Sequence, residues 1–453
     1  VADLIQLRNA AREIFDAMLR AADAGAAVKK AIGLMGSNLA VYDREIELRN
    51  RPIYAIAIGK AATPMAVALE AQIGPHFIKG VISGPPKLAG SVAGPTVSHS
   101  EGADPSGRWE RFDGGHPLPN EESLRAATAA FALLDQANAD QANVIFLISG
   151  GGSAMMEWPI NSAITLDDIR AANKVLVNCG ADITEINAVR RAFSAVKGGR
   201  LAERALNCQQ VTLIVSDVPL GEQDIVASGP SAPAPSTARY TPTIIERYKL
   251  RKSLPPRVIK AIESTTATPK PKPKEAPHWS FVLLTNHDAL AAALDAAISM
   301  GFVSEIASQL HDSSIEEGVS ALNDQLAAMR VKHHGSDKPL CLISGGEFSC
   351  PVRGDGVGGR NLETALRLAL LHNGKEEFIA LCAGTDGIDG NSPAAGGIAD
   401  HTTIERARAI GLDAEDFLKR SDAYSFFHAL GDDVVTGPTG TNVRDVRILI
   451  ASS

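Results

Sequence analysis

The chain has 453 residues, 45% hydrophobic and 21% charged, which is ordinary for a globular protein and enough for two or three domains with sizeable cores. A formal net charge of −8 leaves no electrostatic footprint for nucleic acid, while a local basic site for an anionic substrate stays open. No apolar run reaches membrane-spanning length, Asp3, Arg8, Arg12 and Glu13 interrupt any signal-peptide core, and the five cysteines lack metal-site or disulfide spacing, which together predict a cytoplasmic protein with reduced thiols.

Apolar residues Ile5, Ala11, Ile14, Phe15, Met18, Leu19 and Ala22 recur at helical spacing and predict an amphipathic helix, then a second one, over residues 3–35. IYAIAI, from Ile53 to Ile58, reads as a buried strand stopped by Gly59 and Lys60 and followed by the small-residue helix AATPMAVALEA, the first half of a βαβ unit. Lys60 is therefore expected at the carboxyl end of a strand, where open α/β sheets bind ligands. After a Gly- and Pro-rich stretch containing His99 and His116, Asn120 opens a helix from Glu121 to Asn138. VIFLIS then ends in Ser149, Gly150, Gly151, Gly152 and Ser153. GGGSAM matches the GxSxG nucleophile elbow poorly and suits a phosphate or carboxylate cradle better.

A helix predicted from Leu166 to Arg191 carries Asn187, Arg190 and Arg191, and Lys197 follows, a set of polar and cationic groups for lining an anion site. The strand VTLIV ends in Ser216 and Asp217, and the next loop packs Glu222, Asp224, Ser228, Gly229 and Pro230 together. Acids after a strand serve as a general base or hold magnesium. The Pro- and Lys-rich segment from Ser231 to Pro277 reads as a linker or surface loop, which places a domain boundary between residues 235 and 236.

A second α/β pattern follows, with FVLLTN, a helix from Asp288 to Met300, FVSEIAS and a helix from Ser314 to Met329. The letters LISGG, already met at Leu147, recur at Leu342, so that Ser344, Gly345, Gly346 and Glu347 close a strand. A glycine-rich loop ending at Gly359 then delivers Arg360 to a helix start, an order suited to binding anions. The strand from Phe378 to Cys382 leads into GTDGIDG, where Asp386 and Asp389 predict a magnesium or substrate-hydroxyl site. A turn at Gly437 to Gly440 precedes the last strand.

Gly354, Gly356 and Gly359 satisfy GxGxxG, but FSCPVR before them contains Pro351 and does not read as the buried strand that a dinucleotide fold requires. GxxxxGK[ST] and the protein-kinase signatures are absent from the sequence. Phosphoryl transfer needs little beyond positioning, positive charge on the moving group and a base.

The succession IGKAA, GGHPLP, LISGGGSAM, NAVRRAFSAVKGGRLA, SDV, ASGPS, ISGGE, GGRNLE, GTDGIDG, AAGGIAD and TGPTGTNVRDV resembles the glycerate 2-kinase family, whose members are often labelled hydroxypyruvate reductase in tartrate-degradation settings. These motifs run in the family's order from about residue 53 to the last strand. The resemblance implies two α/β domains, a Rossmann-like one over 1–235 and a MOFRL-type one over 236–453, with the active site in the cleft between them. It implies ATP-dependent phosphorylation of D-glycerate to 2-phospho-D-glycerate with Mg2+. Lys60 and Arg360 match the family's active-site cations, and Glu347 and Asp386 match acids of the same cleft. The chain departs at Leu220 to Asp224, where many members carry Gly-Asp-Asp.

On that pattern a Ser-Gly-Gly loop holds the glycerate carboxylate, Lys60 and Arg360 stabilise the transferring phosphoryl group, Asp386 or Asp217 takes the hydroxyl proton, and magnesium lies near Asp386 and Asp389. The partners are then D-glycerate and ATP, without nucleic acid or membrane, and a homodimer is left open. Two other classes remain: an NAD(P)H-dependent hydroxypyruvate reductase that uses the glycine triplet, and a non-catalytic binding protein for a small hydroxy acid.

Overall fold

The computed structural model describes residues 4–49, 51–86, 107–232, 241–267, 277–308, 310 and 313–453. His99 and the expected boundary at residues 235 and 236 lie outside them. Among the described residues, one compact unit runs from Ala24 to Leu283, and the other joins residues 4–23 to 284–453. Both are α/β.

In the first unit the expected second helix is short, Ala24–Ala31, and gives way to Ile32–Met35 (β1), Asn38–Val41 (β2) and Arg44–Glu47 (β3), an antiparallel sheet in the order β1-β2-β3. The main sheet follows with Ile53–Ile58 (β4), Phe77–Gly84 (β5), Trp109–Asp113 (β6), Asn143–Ser149 (β7), Gln209–Val215 (β8) and His278–Leu284 (β9), in the order β6-β5-β4-β7-β8-β9. β4, the first of these in the chain, pairs in parallel with both β5 and β7. The winding therefore reverses between β4 and β7, which opens a crevice at their carboxyl ends.

Every residue of β4 and β7 is buried, as in a parallel sheet covered on both faces. The helix Ala62–Ile73 follows β4, and the helix Glu121–Ala139, capped by Asn120, leads into β7. The helix expected over Leu166–Arg191 is two helices, Leu166–Val177 and Ile183–Phe193. Asp182 caps the second by accepting from the Glu185 N–H at 2.8 Å, so NCGAD is a helix stop and restart. These helices share a separate core with Thr241–Arg247 and Pro256–Ala267. β9 lies beyond the Pro/Lys stretch yet returns to the edge of the first sheet beside β8.

The second unit's sheet comprises Val303–Ile306 (β10), Leu340–Gly346 (β11), Phe378–Gly384 (β12), Gly396–Asp400 (β13), Asp433–Val434 (β14) and Asp445–Ala451 (β15), in the order β10-β11-β15-β12-β13-β14. β15 runs antiparallel between β11 and β12, so its first residue, Asp445, lies opposite both Gly346 and Gly384. The last strand in sequence thus brings its opening carboxylate between the two glycine-ended strands. The amphipathic helix Leu4–Ala21 packs on Asn286–Ser299 and on β15, and Arg8 pairs with Asp400 and Asp432.

Candidate active site

At the β4/β7 crevice the two loops are tied through backbone and hydroxyl groups. The Lys60 N–H donates to the Gly150 carbonyl at 2.9 Å, and the Gly59 N–H to Ser83 at 3.0 Å. Ser149 Oγ donates to the Ile58 carbonyl at 3.2 Å and accepts from the Ala61 N–H at 3.0 Å. Gly59 has φ 113°, and a Cβ there would press on Ser149 and lie 2.8 Å from the Gly150 oxygen, so only glycine lets the strands' ends approach this closely. A Cβ at Gly151 would be 3.2 Å from both Lys60 Cγ and His116 Cδ2. That contact brings the half-buried Lys60 and the exposed His116 to the glycine turn.

Behind the turn, Ser153 Oγ is 3.0 Å from Ser228 Oγ, and Ser228 donates to Asn187 Oδ1 at 2.9 Å. Ala227 and Ser228 have φ of 53° and 63°, left-handed values that cost non-glycine residues about 1–3 kcal/mol each and cluster at functional loops. Asp217 sits half-buried two residues past Val215, the strand partner of Ser149. Arg190 turns aside to donate to Asn173 Oδ1 at 2.8 Å, and burial lowers its pKa.

Lys197 differs from its expected role as an anion-lining cation. It is 1% exposed, pairs with the buried Glu157 and donates to the Ser153 carbonyl at 2.8 Å. Burial lowers its pKa and Glu157 opposes that shift. Lys197 fixes the backbone of the turn from behind.

The second unit gathers charge instead. Arg360 begins the helix Arg360–His372; its Nε donates to Asp445 at 2.5 Å and its Nη2 to the other Asp445 oxygen at 3.1 Å. Nη2 also lies 2.9 Å from Glu347. The guanidinium expected to stand ready for an anion is thus held by two carboxylates. Burial pulls the Arg360 pKa down, and Asp445 and Glu347 outweigh it, giving a net upward shift. For Asp445 burial pushes up and Arg360 prevails, holding the carboxyl below its usual range.

Arg447, wholly buried, donates to the carbonyls of Gly345 and Gly346 at 2.9 and 3.3 Å and lies 3.7 Å from Asp445. Asn286 fastens the same edge, accepting from the Gly346 N–H at 3.2 Å and donating to the Val443 carbonyl at 2.7 Å. Ser344 is buried one residue inside Gly345.

Asp386 and Asp389 share a loop but have different work. Asp386 is half-buried, and its Oδ1 lies 3.1 Å from where a Cβ on Gly384 would stand, with Asp445 Oδ1 3.5 Å from the same point. Asp389 is 2% exposed and caps the helix of Arg360, accepting from the Asn361 N–H at 3.1 Å and the Leu362 N–H at 2.8 Å. Burial pushes its pKa up to about 7, against the pull of those two N–H groups. Both Asp389 oxygens are thereby engaged by the helix start, a poor arrangement for the metal ligand expected there. Among the described residues no three His, Cys, Asp or Glu side chains form a metal-holding cluster.

The glycine triplet packs against protein. A Cβ at Gly354 would lie 2.5 Å from the Arg420 carbonyl oxygen, one at Gly356 2.5 Å from Asp422 Cβ, and one at Gly359 2.5 Å from Asp389 Oδ1. Close chain approach therefore accounts for all three glycines. The groups missed by sequence reading are Asp445, Arg447 and Glu157. A signal existed for two of them, since Asp445 and Arg447 are charges at alternate positions in an otherwise apolar last strand.

Residues 10–263 match the family described as a domain of unknown function, DUF4147, and residues 340–445 match the MOFRL family. The chain is 36% identical to a D-glycerate 2-kinase of Thermotoga maritima, covering 93% of this chain and 96% of that one. It is 34% identical to an Agrobacterium vitis protein named as a hydroxypyruvate reductase, covering 98% and 95% of the two chains. A crystal structure of glycerate kinase from Thermotoga maritima superposes with a TM-score of 0.78 at 32% identity, covering 98% of this chain and 99% of that one.

Proposed function

Since the chain belongs to the glycerate 2-kinase family, we propose that it transfers a phosphoryl group from ATP to the 2-hydroxyl of D-glycerate. The observation that carries this reading is Lys60 beside a glycine turn at the reversal point of a parallel sheet, a place where ligands meet backbone donors and one fixed cation. The backbone amides from Ser149 to Ser153 take the glycerate carboxylate, and Asp217, on the neighbouring strand's loop, takes the proton of the reacting hydroxyl. Lys60 stabilises charge on the transferring phosphoryl group.

The Arg360 centre serves the phosphates of ATP. Magnesium takes one or two carboxylates and fills its remaining positions with water and phosphate oxygens. Asp386, half-buried and with Oδ1 accepting the Ile388 N–H at 3.1 Å, would be the carboxylate for such an ion, whereas both oxygens of Asp389 are engaged by the helix start. Such an ion supplies positive charge to the phosphate oxygens. The close packing of the glycine triplet supports a kinase over a nucleotide-dependent reductase, because those glycines already serve the approach of protein to protein.

The test is a coupled assay with D-glycerate and magnesium ATP, using enolase without phosphoglycerate mutase so that only the 2-phosphate gives a signal. Signal is the expected result. ADP without signal moves phosphorylation to another position or to water. Oxidation of NADH by hydroxypyruvate, with no ADP formed from ATP and glycerate, overturns the kinase reading.

A further inference from the structure

The two carboxylates on Arg360 are unequal. Asp445 has a side chain 2% exposed, is fixed by strand pairing on both sides, and accepts two parallel N–H bonds. Glu347 has a side chain 34% exposed, stands one residue past the end of β11, and meets Arg360 at Nη2. Asp445 aims the guanidinium; Glu347 occupies the edge that faces outward.

Charge decides what this arrangement does to an arriving anion. Arg360 and Arg447 carry two positive charges, and Asp445 and Glu347 carry two negative ones, so the four groups sum to zero. The neighbouring carboxyl groups, Asp386 beside Asp445 and Asp389 behind the helix start, can only lower that sum. A phosphate or carboxylate approaching Arg360 meets one negative charge fewer once Glu347 withdraws. Glu347 stands at a strand's end with a side chain 34% exposed, so on leaving Arg360 its charge passes to water, where it is well solvated.

We propose that Glu347 is an exchangeable anion on Arg360: a ligand phosphate or carboxylate displaces it, and the exchange sets the affinity of this centre for anions. Asp445 stays in place throughout and keeps the planar fork aimed, so the incoming oxygen finds Nη2 already oriented. A neutral polyol offers no charge to replace the one that leaves, so the exchange selects anionic ligands over uncharged ones. The inference rests on the proposed function only for the identity of the anion, which there is a phosphate of ATP.

Equilibrium binding of inorganic phosphate, read by isothermal titration calorimetry on the full chain, tests it without turnover. Glu347→Gln is expected to tighten phosphate binding about threefold to tenfold, the range spanned by half-exposed and charge-assisted pairs. Glu347→Asp, which draws the carboxylate back by one methylene, moves in the same direction. In an Arg360→Ala background the gain disappears. Unchanged or weaker binding in Glu347→Gln, or a gain that survives Arg360→Ala, overturns the proposal. A chain that binds phosphate as described but fails the glycerate assay would overturn the kinase reading and leave this one standing.

Discussion

The Lys60 centre and the Arg360 centre are built from opposite materials. Around Lys60 the structure relies on backbone carbonyls, hydroxyls and glycines, with the buried pair Lys197–Glu157 kept behind the turn. Around Arg360 it relies on side-chain charges, two arginines and two carboxylates meeting at the junction of three strands. Sheet topology explains the difference. A parallel sheet that reverses its winding leaves an empty crevice, and backbone groups at the strand ends suffice to line it. In the mixed sheet β15 fills the gap between β11 and β12, so the polar start of that strand becomes the site.

The largest way to break this comparison is Asp445→Ala. It leaves Arg360 and Arg447 without their shared carboxylate, and the expected loss is about 3–5 kcal/mol, read by urea unfolding. A loss below about 1 kcal/mol would mean that the centre does not depend on buried charge. Lys60→Ala asks the converse question. Turnover should fall about a hundredfold with the unfolding midpoint unchanged, because the turn is fastened by other groups; near-normal kcat removes Lys60 from the mechanism.

Ser149→Ala is smaller. It leaves the buried Ile58 carbonyl and Ala61 N–H without their shared partner, a loss of about 1–3 kcal/mol, again by urea unfolding. A readout by pH sharpens the charged side. Asp389 has a folded pKa of about 7 against an ordinary 3.8, so between these values the folded chain keeps a proton that the unfolded chain releases. Its contribution favours folding at acid pH and fades as pH rises through about 7. The side-chain carboxyl 13C shift of Asp389 should titrate near neutrality, and the pH dependence of stability should flatten in Asp389→Asn. A carboxyl midpoint below 5 would contradict this account.

What the sequence disclosed follows the same division. Strand ends marked by glycine, at Gly59, Ser149 to Gly152 and Ser344 to Gly346, were legible because apolar runs and their stops are local features. Of the two partners of Arg360, Glu347 was legible from the motif resemblance and Asp445 was not, since it lies 85 positions away and arrives through an antiparallel insertion that periodicity does not encode. Lys197 and Arg190 both read as cations in the sequence, and it is burial and partners that separate their places in the fold. The three strands over 32–47 escaped notice because four-residue strands give too few alternations to separate from the end of a helix. The Pro/Lys stretch read as a boundary by composition, while β9, which follows it, belongs to the first sheet.

The helix Leu4–Ala21 has a consequence for the order of events at synthesis. Its Arg8 pairs with Asp400 and Asp432, and its buried face packs on Asn286–Ser299 and β15. The unit from Ala24 to Leu283 is complete once its own residues have been made. Leu4–Ala21, translated before its partners, waits first for Asn286–Ser299 and then for β15 before its apolar stripe is covered. Its contacts are therefore among the longest-range in the chain, and their loop-closure cost falls late. For that interval an apolar helix face stands without its native cover while the chain that will supply it is still being made.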